Sequence, residues 1–182
     1  MLINTMGGAL PMANKCVLAV DLGSATITAA VAGGEFDEPK ILQPSRGEVW
    51  PAHIYVAESG ALVTDPAKAT TVITRFARLL GREAQVIAGS PRHADSLVSA
   101  ALAPIMASAQ AAMKADVAVI AATYPTTWPK QVVAAYQNAV SRISGAEVMM
   151  VAWPDAIAAQ TYPPDPYVDC PITSIDFGAR SA

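Results

Sequence analysis

Residues 16–32 read CVLAVDLGSATITAAVA, two apolar runs that flank a short turn of glycine and small residues. Two β-compatible runs joined by a turn that contains Gly and Ser are typical of a β-hairpin. The first run delivers Asp21 to its end, and Gly23 permits a tight turn directly after it. The stretch therefore predicts a hairpin with a carboxylate beside its turn.

Outward from this hairpin, the pattern of apolar residues predicts a chain that alternates between strands and helices. A loop-rich stretch over 37–51 and a second hairpin over 53–63 come first. Late strand–helix alternation favours an α/β fold, in which a mixed sheet with parallel strands is flanked by helices. Helices are predicted over 65–81, from 90 through 106, over 129–144 and over 155–161, and apolar strands over 117–122, 147–152 and 172–177.

Composition excludes several classes of protein. Of the 182 residues, 53% are hydrophobic and 15% are charged, which supplies ample material for a buried core. The net charge of −3 argues against a nucleic-acid partner, since such proteins carry a basic stripe. Cys16 and Cys170 lack metal-binding spacing, so inert thiols in a reduced, cytoplasmic setting are expected. Charged residues interrupt the apolar region 94–123, and we expect no membrane span.

The turn after Asp21 is the first candidate for chemistry. Successive backbone N–H groups in such a turn attract anions, so a phosphate is one possible ligand. A neighbouring carboxylate can hold a hydrated Mg²⁺. Residues 175–181, IDFGARS, repeat the design with Asp176 at a strand end. The two turns either face each other across one polyphosphate or are unrelated.

The turns D-L-G-S and D-F-G-A resemble the two phosphate loops of the actin-like ATPase superfamily. The resemblance is closest to DnaK-type heat-shock chaperones and the shorter DnaK-like proteins of actinobacteria. Between the turns, residues 50–68, 76–82, 116–148 and 153–159 resemble, in order, further motifs of that family. The resemblance implies an actin-like (ribonuclease H-like) fold whose two lobes clamp ATP or ADP with Mg²⁺.

The resemblance also implies a domain organisation and a set of ligand-binding residues. Residues 1–14 would be a flexible tail, and 15–166 the first lobe, with 35–90 as a reduced insertion subdomain. Residues 167–182 would form the first strand of a truncated second lobe. Asp21 and Asp176 would hold Mg²⁺ through water. The residues implied to bind the nucleotide are Asp21, Gly23, Ser24, Ala25, Thr26, Asp176, Gly178 and Ser181.

Departures from the family pattern weaken the expectation of catalysis. The family's water-positioning Lys aligns with Ala77, and its metal-binding Glu aligns with Pro154, next to Asp155. Ala179 and Arg180 replace the later glycines of the second loop. Nucleotide binding with weak or no ATPase activity is therefore expected, and no catalytic residue is assigned. The alternative is a degenerate, nucleotide-free module that acts through protein contact or self-association.

Overall fold

A computed structural model of the chain describes residues 15–33, 36–44 and 49–161. Its helices are α1 (Ala94–Met113), α2 (Lys130–Ser141) and α3 (Trp153–Thr161), with 3₁₀ helices at Pro66–Lys68 and Phe76–Leu79. Its strands are β1 (Lys15–Leu22), β2 (Thr26–Gly33), β3 (Phe36–Ile41), β4 (Trp50–Pro51), β5 (His53–Val56), β6 (Leu62–Val63), β7 (Thr71–Thr74), β8 (Gln85–Ile87), β9 (Ser90–Arg92), β10 (Asp116–Tyr124) and β11 (Glu147–Ala152).

A mixed sheet forms the centre of the fold, with the strand order β11-β10-β1-β2-β3 and with β4 beside β2. Strands β1, β10 and β11 are parallel, whereas β1, β2 and β3 pair antiparallel. Parallel neighbours need a long crossover connection, and α1 and α2 provide it. The prediction of an α/β fold, with a mixed sheet flanked by helices, is confirmed.

One face of this sheet is covered by helices. In β1 the side chains of Cys16, Leu18, Val20 and Leu22 are buried, whereas the residues between them are not. The predicted apolar face of α1 is buried against this side of the sheet. Helix α1 is joined to α2 by an ion pair between Asp95 and Arg142 and by the Ser99 hydroxyl, which donates to the Ala139 carbonyl over 2.7 Å. We call this side of the sheet the covered face.

The alternate residues of β1, β10 and β11 make up the opposite side, which we call the open face. Strand register places these residues side by side, for example Ala19 beside Ala121 and Ala121 beside Met149. They are exposed or half-buried. The open face comprises Val17, Ala19, Asp21, Val119, Ala121, Thr123, Glu147, Met149 and Val151.

The region between β3 and α1 differs most from the sequence-based expectation. The helix predicted over 65–81 is wrong beyond its first turn. Asp65 does cap a 3₁₀ turn, since its Oδ1 accepts from the Ala67 N–H over 3.0 Å. Residues 71–74 then form β7, which pairs with β5. Their β-branched side chains, Thr71, Val72, Ile73 and Thr74, suit a strand, and this pairing overrides the helical spacing.

Three further boundaries of the predicted helices and loops are wrong. Ser90 begins β9, in a hairpin with β8, and α1 begins only at Ala94. The stretch expected to be a loop contains β3, which tolerates Pro39 because it lies at the sheet's edge. Helix α2 ends at Ser141, before Gly145. The hairpins β1–β2 and β5–β6, strands β10 and β11, and the helix after β11 are confirmed.

Some predictions fall on other parts of the chain. The tail 1–14, the strand 172–177 and Cys170 lie outside the described residues. Cys16 is buried as expected, and burial, followed by the nearby charge of Asp116, raises the pKa of its thiol. By length and composition alone, α1 could cross a membrane, with a mean hydropathy of 1.4. The absence of a membrane span therefore stays a prediction.

Candidate functional site

The three parallel strands β1, β10 and β11 have their carboxyl ends at the same end of the sheet, and three polar side chains meet there. Asp21 lies near the end of β1 and is paired in register with Thr123 of β10. Trp153 directly follows β11 as the first residue of α3. Open α/β sheets bind their ligands at the carboxyl ends of their strands. The position of this cluster is therefore that of a ligand site.

Hydrogen bonds fix the Asp21 carboxylate. The Thr123 hydroxyl donates to Asp21 Oδ1 over 2.6 Å, and the Trp153 indole N–H donates to the same oxygen over 2.9 Å. The indole nitrogen also lies 3.2 Å from the Thr123 hydroxyl oxygen. Bonds to an ionised carboxylate are stronger than neutral ones, so the group is well oriented. Both donors bind the same carboxylate oxygen, Oδ1.

The turn beside Asp21 is held by its own backbone. The Gly23 N–H donates to the Thr26 carbonyl over 3.0 Å, and the Ala52 N–H donates to the Ala25 carbonyl over 2.9 Å. A Cβ atom at residue 23 would stand 2.7 Å from the Thr26 carbonyl oxygen, so only glycine fits. The turn is thus built before any ligand arrives, although the N–H of Gly23 is already used inside it.

A buried phenol lies within electrostatic reach of Asp21. Tyr136 of α2 is fully buried, and its hydroxyl has no hydrogen-bond partner within the part of the chain that the structure describes. Burial raises the pKa of Tyr136, and the charge of Asp21 adds to this effect. Its ring packs edge-on against Trp128, with 5.6 Å between the centroids. The raised pKa of Tyr136 is therefore mainly an effect of its burial in the core.

A groove lies on the covered face, near the carboxyl end of β10. It lies between the end of β10 and α2 and has a volume of about 340 Å³. Tyr124, Trp128 and Lys130 are among its lining residues. Two aromatic walls and one cation suit a flat or anionic group.

The structure brings together part of the predicted site. Asp21 and the turn residues Gly23 to Thr26 lie side by side, whereas Asp176, Gly178 and Ser181 lie outside the described residues. The roles in nucleotide and Mg²⁺ binding that the sequence predicts for both groups of residues stay predictions. Ala77 packs on the core in a 3₁₀ helix.

Sequence reasoning missed one member of the site, Trp153, whose indole binds Asp21. Trp153 adjoins Pro154, a pattern that is more typical of a residue that anchors a loop. It lies 132 positions from Asp21 along the chain. Only the strand order could have placed it there, because no local spacing connects the two residues.

The described part of the site offers a metal ion one fixed carboxylate, Asp21. Across residues 15–33, 36–44 and 49–161, no group of three or more His, Cys, Asp or Glu side chains could hold an ion by itself. A cation beside Asp21 would depend on water and on a ligand for its other contacts. Mg²⁺ keeps several waters and commonly binds through one or two carboxylates plus phosphates. Asp21 therefore fits Mg²⁺ that arrives with a phosphate ligand.

Comparison with known proteins leaves the family open. The chain matches no protein-family model, and no curated protein sequence matches it.

Proposed function

We propose that this chain is a DnaK-like, actin-like lobe that binds ATP or ADP with Mg²⁺ beside Asp21, at the carboxyl ends of its parallel strands. The observation that carries the proposal is the Asp21 carboxylate, held by Thr123 and Trp153 beside the turn that Gly23 closes. A fixed carboxylate and a preformed turn lie together where three parallel strands end.

The chemistry of each part suits a phosphate ligand with its metal. Asp21 would hold the cation through water, and the cation would supply positive charge to the phosphate oxygens. The backbone of residues 24–26 approaches the phosphate from the turn, where small side chains leave room for it.

The layout of the strands supports the same family. An antiparallel meander, β1-β2-β3, is continued by the parallel strands β10 and β11, which is compatible with the first lobe of such a domain. Two small sheets, formed by β5 to β7 and by β8 and β9, fall between β3 and α1. They correspond to the reduced insertion subdomain proposed for residues 35–90.

Hydrolysis is expected to be slow or absent. Phosphoryl transfer depends on positioned charges around the phosphate and the attacking water. Ala77 supplies no ammonium group, and Pro154 supplies no carboxylate. Asp155 is exposed in the first turn of α3. The proposed activity is therefore binding, with weak or no turnover.

Calorimetric titration with ADP and with ATP, each with Mg²⁺, tests the proposal. We expect binding that Asp21→Ala abolishes, since this change removes the carboxylate proposed to hold the cation. Asp116→Ala is the matched control, because Asp116 is an exposed carboxylate at the opposite end of β10. No heat from either nucleotide with the unaltered chain would contradict the proposal.

A different observation favours a second function, action through protein contact. Strand β11 is apolar but has no fully buried residue, and Met149 is 50% exposed. An apolar strand whose side chains are exposed or half-buried is suited to contact with another protein chain. This function needs no nucleotide, so concentration-dependent association that ADP leaves unchanged would support it.

A further inference from the structure

The two edges of the central sheet are protected to very different degrees. At one edge, β3 has the sequence FDEPKI, with three charges and a proline, and the neighbouring β4 contains Pro51. At the other edge, β11 has the sequence EVMMVA, with a single charge at its first residue. Folded proteins block exposed edges with charges, prolines or bulges. The β11 edge lacks these features, and among the described residues it pairs with no further strand.

The exposure of the side chains of β11 also indicates that a neighbouring strand is missing. Continuous apolar strands such as 147–152 are typical of sheets covered on both sides. In the part of the chain that the structure describes, no strand pairs with the outer edge of β11. In β11, by contrast, the side chain of Met149 is 50% exposed. A cross-strand neighbour along this edge would cover part of it.

We propose that β11 pairs antiparallel with β11 of a second copy of this chain. The two-fold axis lies perpendicular to the sheet, so the open faces of both copies continue into each other. Directly opposed residues must lie on the same face of the sheet. A register centred on Met149 meets this condition. It places Met149 opposite its own copy, Val148 opposite Met150, and Glu147 opposite Val151.

The charge pattern of β11 favours a copy of itself as the partner. Like charges directly opposite each other destabilise a strand pair. In the proposed register the only charge, Glu147, faces a valine and not another glutamate. The remaining opposed side chains are apolar. Isologous dimers of this kind are the commonest oligomers of soluble proteins.

The dimer deepens the protein-contact function and is independent of nucleotide binding. Strand β10 separates β11 from β1, which carries Asp21. Asp21→Ala should remove nucleotide binding without changing association. Conversely, disruption of the β11 edge should leave nucleotide binding intact, so that failure of one proposal can be distinguished from failure of the other.

Analytical ultracentrifugation over a concentration series tests the contact. We expect the unaltered chain to dimerise reversibly, and Met149→Lys to raise the dissociation constant at least ~10-fold, because it places two ammonium groups opposite each other. Val86→Lys is the matched control, since Val86 is 77% exposed in β8, outside the central sheet. A monomer at every concentration, or a dimer that Met149→Lys leaves unchanged, would overturn the proposal.

A cysteine variant tests the register without weakening the contact. Directly opposed Cα atoms in an antiparallel pair lie about 4.5 to 5.5 Å apart, a separation that a disulfide can span. In a Cys170→Ser background, Met149→Cys should form a covalent dimer on mild oxidation, and Val86→Cys should not. Equal cross-linking of the two variants would show that the contact does not involve β11.

Discussion

The covered and open faces of the central sheet are built from alternate residues of the same strands, yet they differ in chemistry. Val20 and Ala122 are buried beneath the helices, whereas their neighbours Asp21 and Thr123 hydrogen-bond to each other on the open face. One face therefore supplies the core and the other carries the candidate site. The effect of a substitution should follow from the face on which the residue lies.

The largest difference should appear between adjacent residues of β10. Ile120 is 1% exposed on the covered face, and Val119 lies half-buried on the open face. We expect Ile120→Ala to lower the free energy of unfolding by about 3 kcal/mol, since it leaves a cavity in the core. Val119→Ala should cost less than about 1 kcal/mol. Urea unfolding measures both, and equal losses would contradict the assignment of the two faces.

The next largest effect concerns the turn that adjoins Asp21. Gly23→Ala would place a methyl group 2.7 Å from the Thr26 carbonyl oxygen, so the turn must shift. We expect a loss of about 2 kcal/mol, in the range of overpacked or strained sites. Gly145→Ala is the control, because its Cβ would meet no atom within 4 Å. If both variants unfold at the same denaturant concentration, the turn is not constrained as described.

A smaller loss is expected from the donors to Asp21. Trp153→Phe removes the indole N–H, and Thr123→Val removes the hydroxyl, from the same carboxylate oxygen. Each change should lower the free energy of unfolding by about 1 kcal/mol. Because the two donors share one acceptor and contact each other, the double variant should depart from additivity. Strict additivity in a double-mutant cycle would show that the three side chains do not act as a unit.

The smallest effect at neutral pH should come from Tyr136. Its buried hydroxyl has no partner among the described residues, so Tyr136→Phe should be neutral or stabilise the fold by up to about 1 kcal/mol. The phenol ionises near 10.0 in the unfolded chain and at a higher pKa in the folded one. The unfolded state therefore loses its proton first, and stability falls as the pH rises above that value. Comparing urea unfolding at pH 9 and pH 11 should show a larger loss for the native chain than for Tyr136→Phe.

The sequence predicted the central sheet better than the region before α1. The strands of the sheet are apolar runs that end in clear turns, such as Asp21-Leu22-Gly23, and their packing agrees with local preference. Residues 65–92 carry conflicting signals: Asp65 and Pro66 favour a helix start, whereas residues 71–74 are β-branched. Pairing with β5 resolved that conflict, and this pairing is not visible in local spacing.

For the site, the sequence indicated Asp21 and its turn but not the residues that hold them. Gly after Asp at a strand end is a local pattern, so it can be recognised directly. Trp153 reaches the site only because β10 and β11 lie beside β1 in the folded sheet. Its role depends on strand order, which the single sequence did not provide.

The most direct test of nucleotide binding uses the indole N–H resonances of the three tryptophans in an NMR titration with ADP and Mg²⁺. Trp153 donates to Asp21, so its indole N–H reports on the carboxylate at the centre of the candidate site. We expect the Trp153 resonance to shift with ADP and Mg²⁺, and Asp21→Ala to abolish the shift. A Trp153 resonance that does not move at saturating ADP and Mg²⁺ would contradict the account.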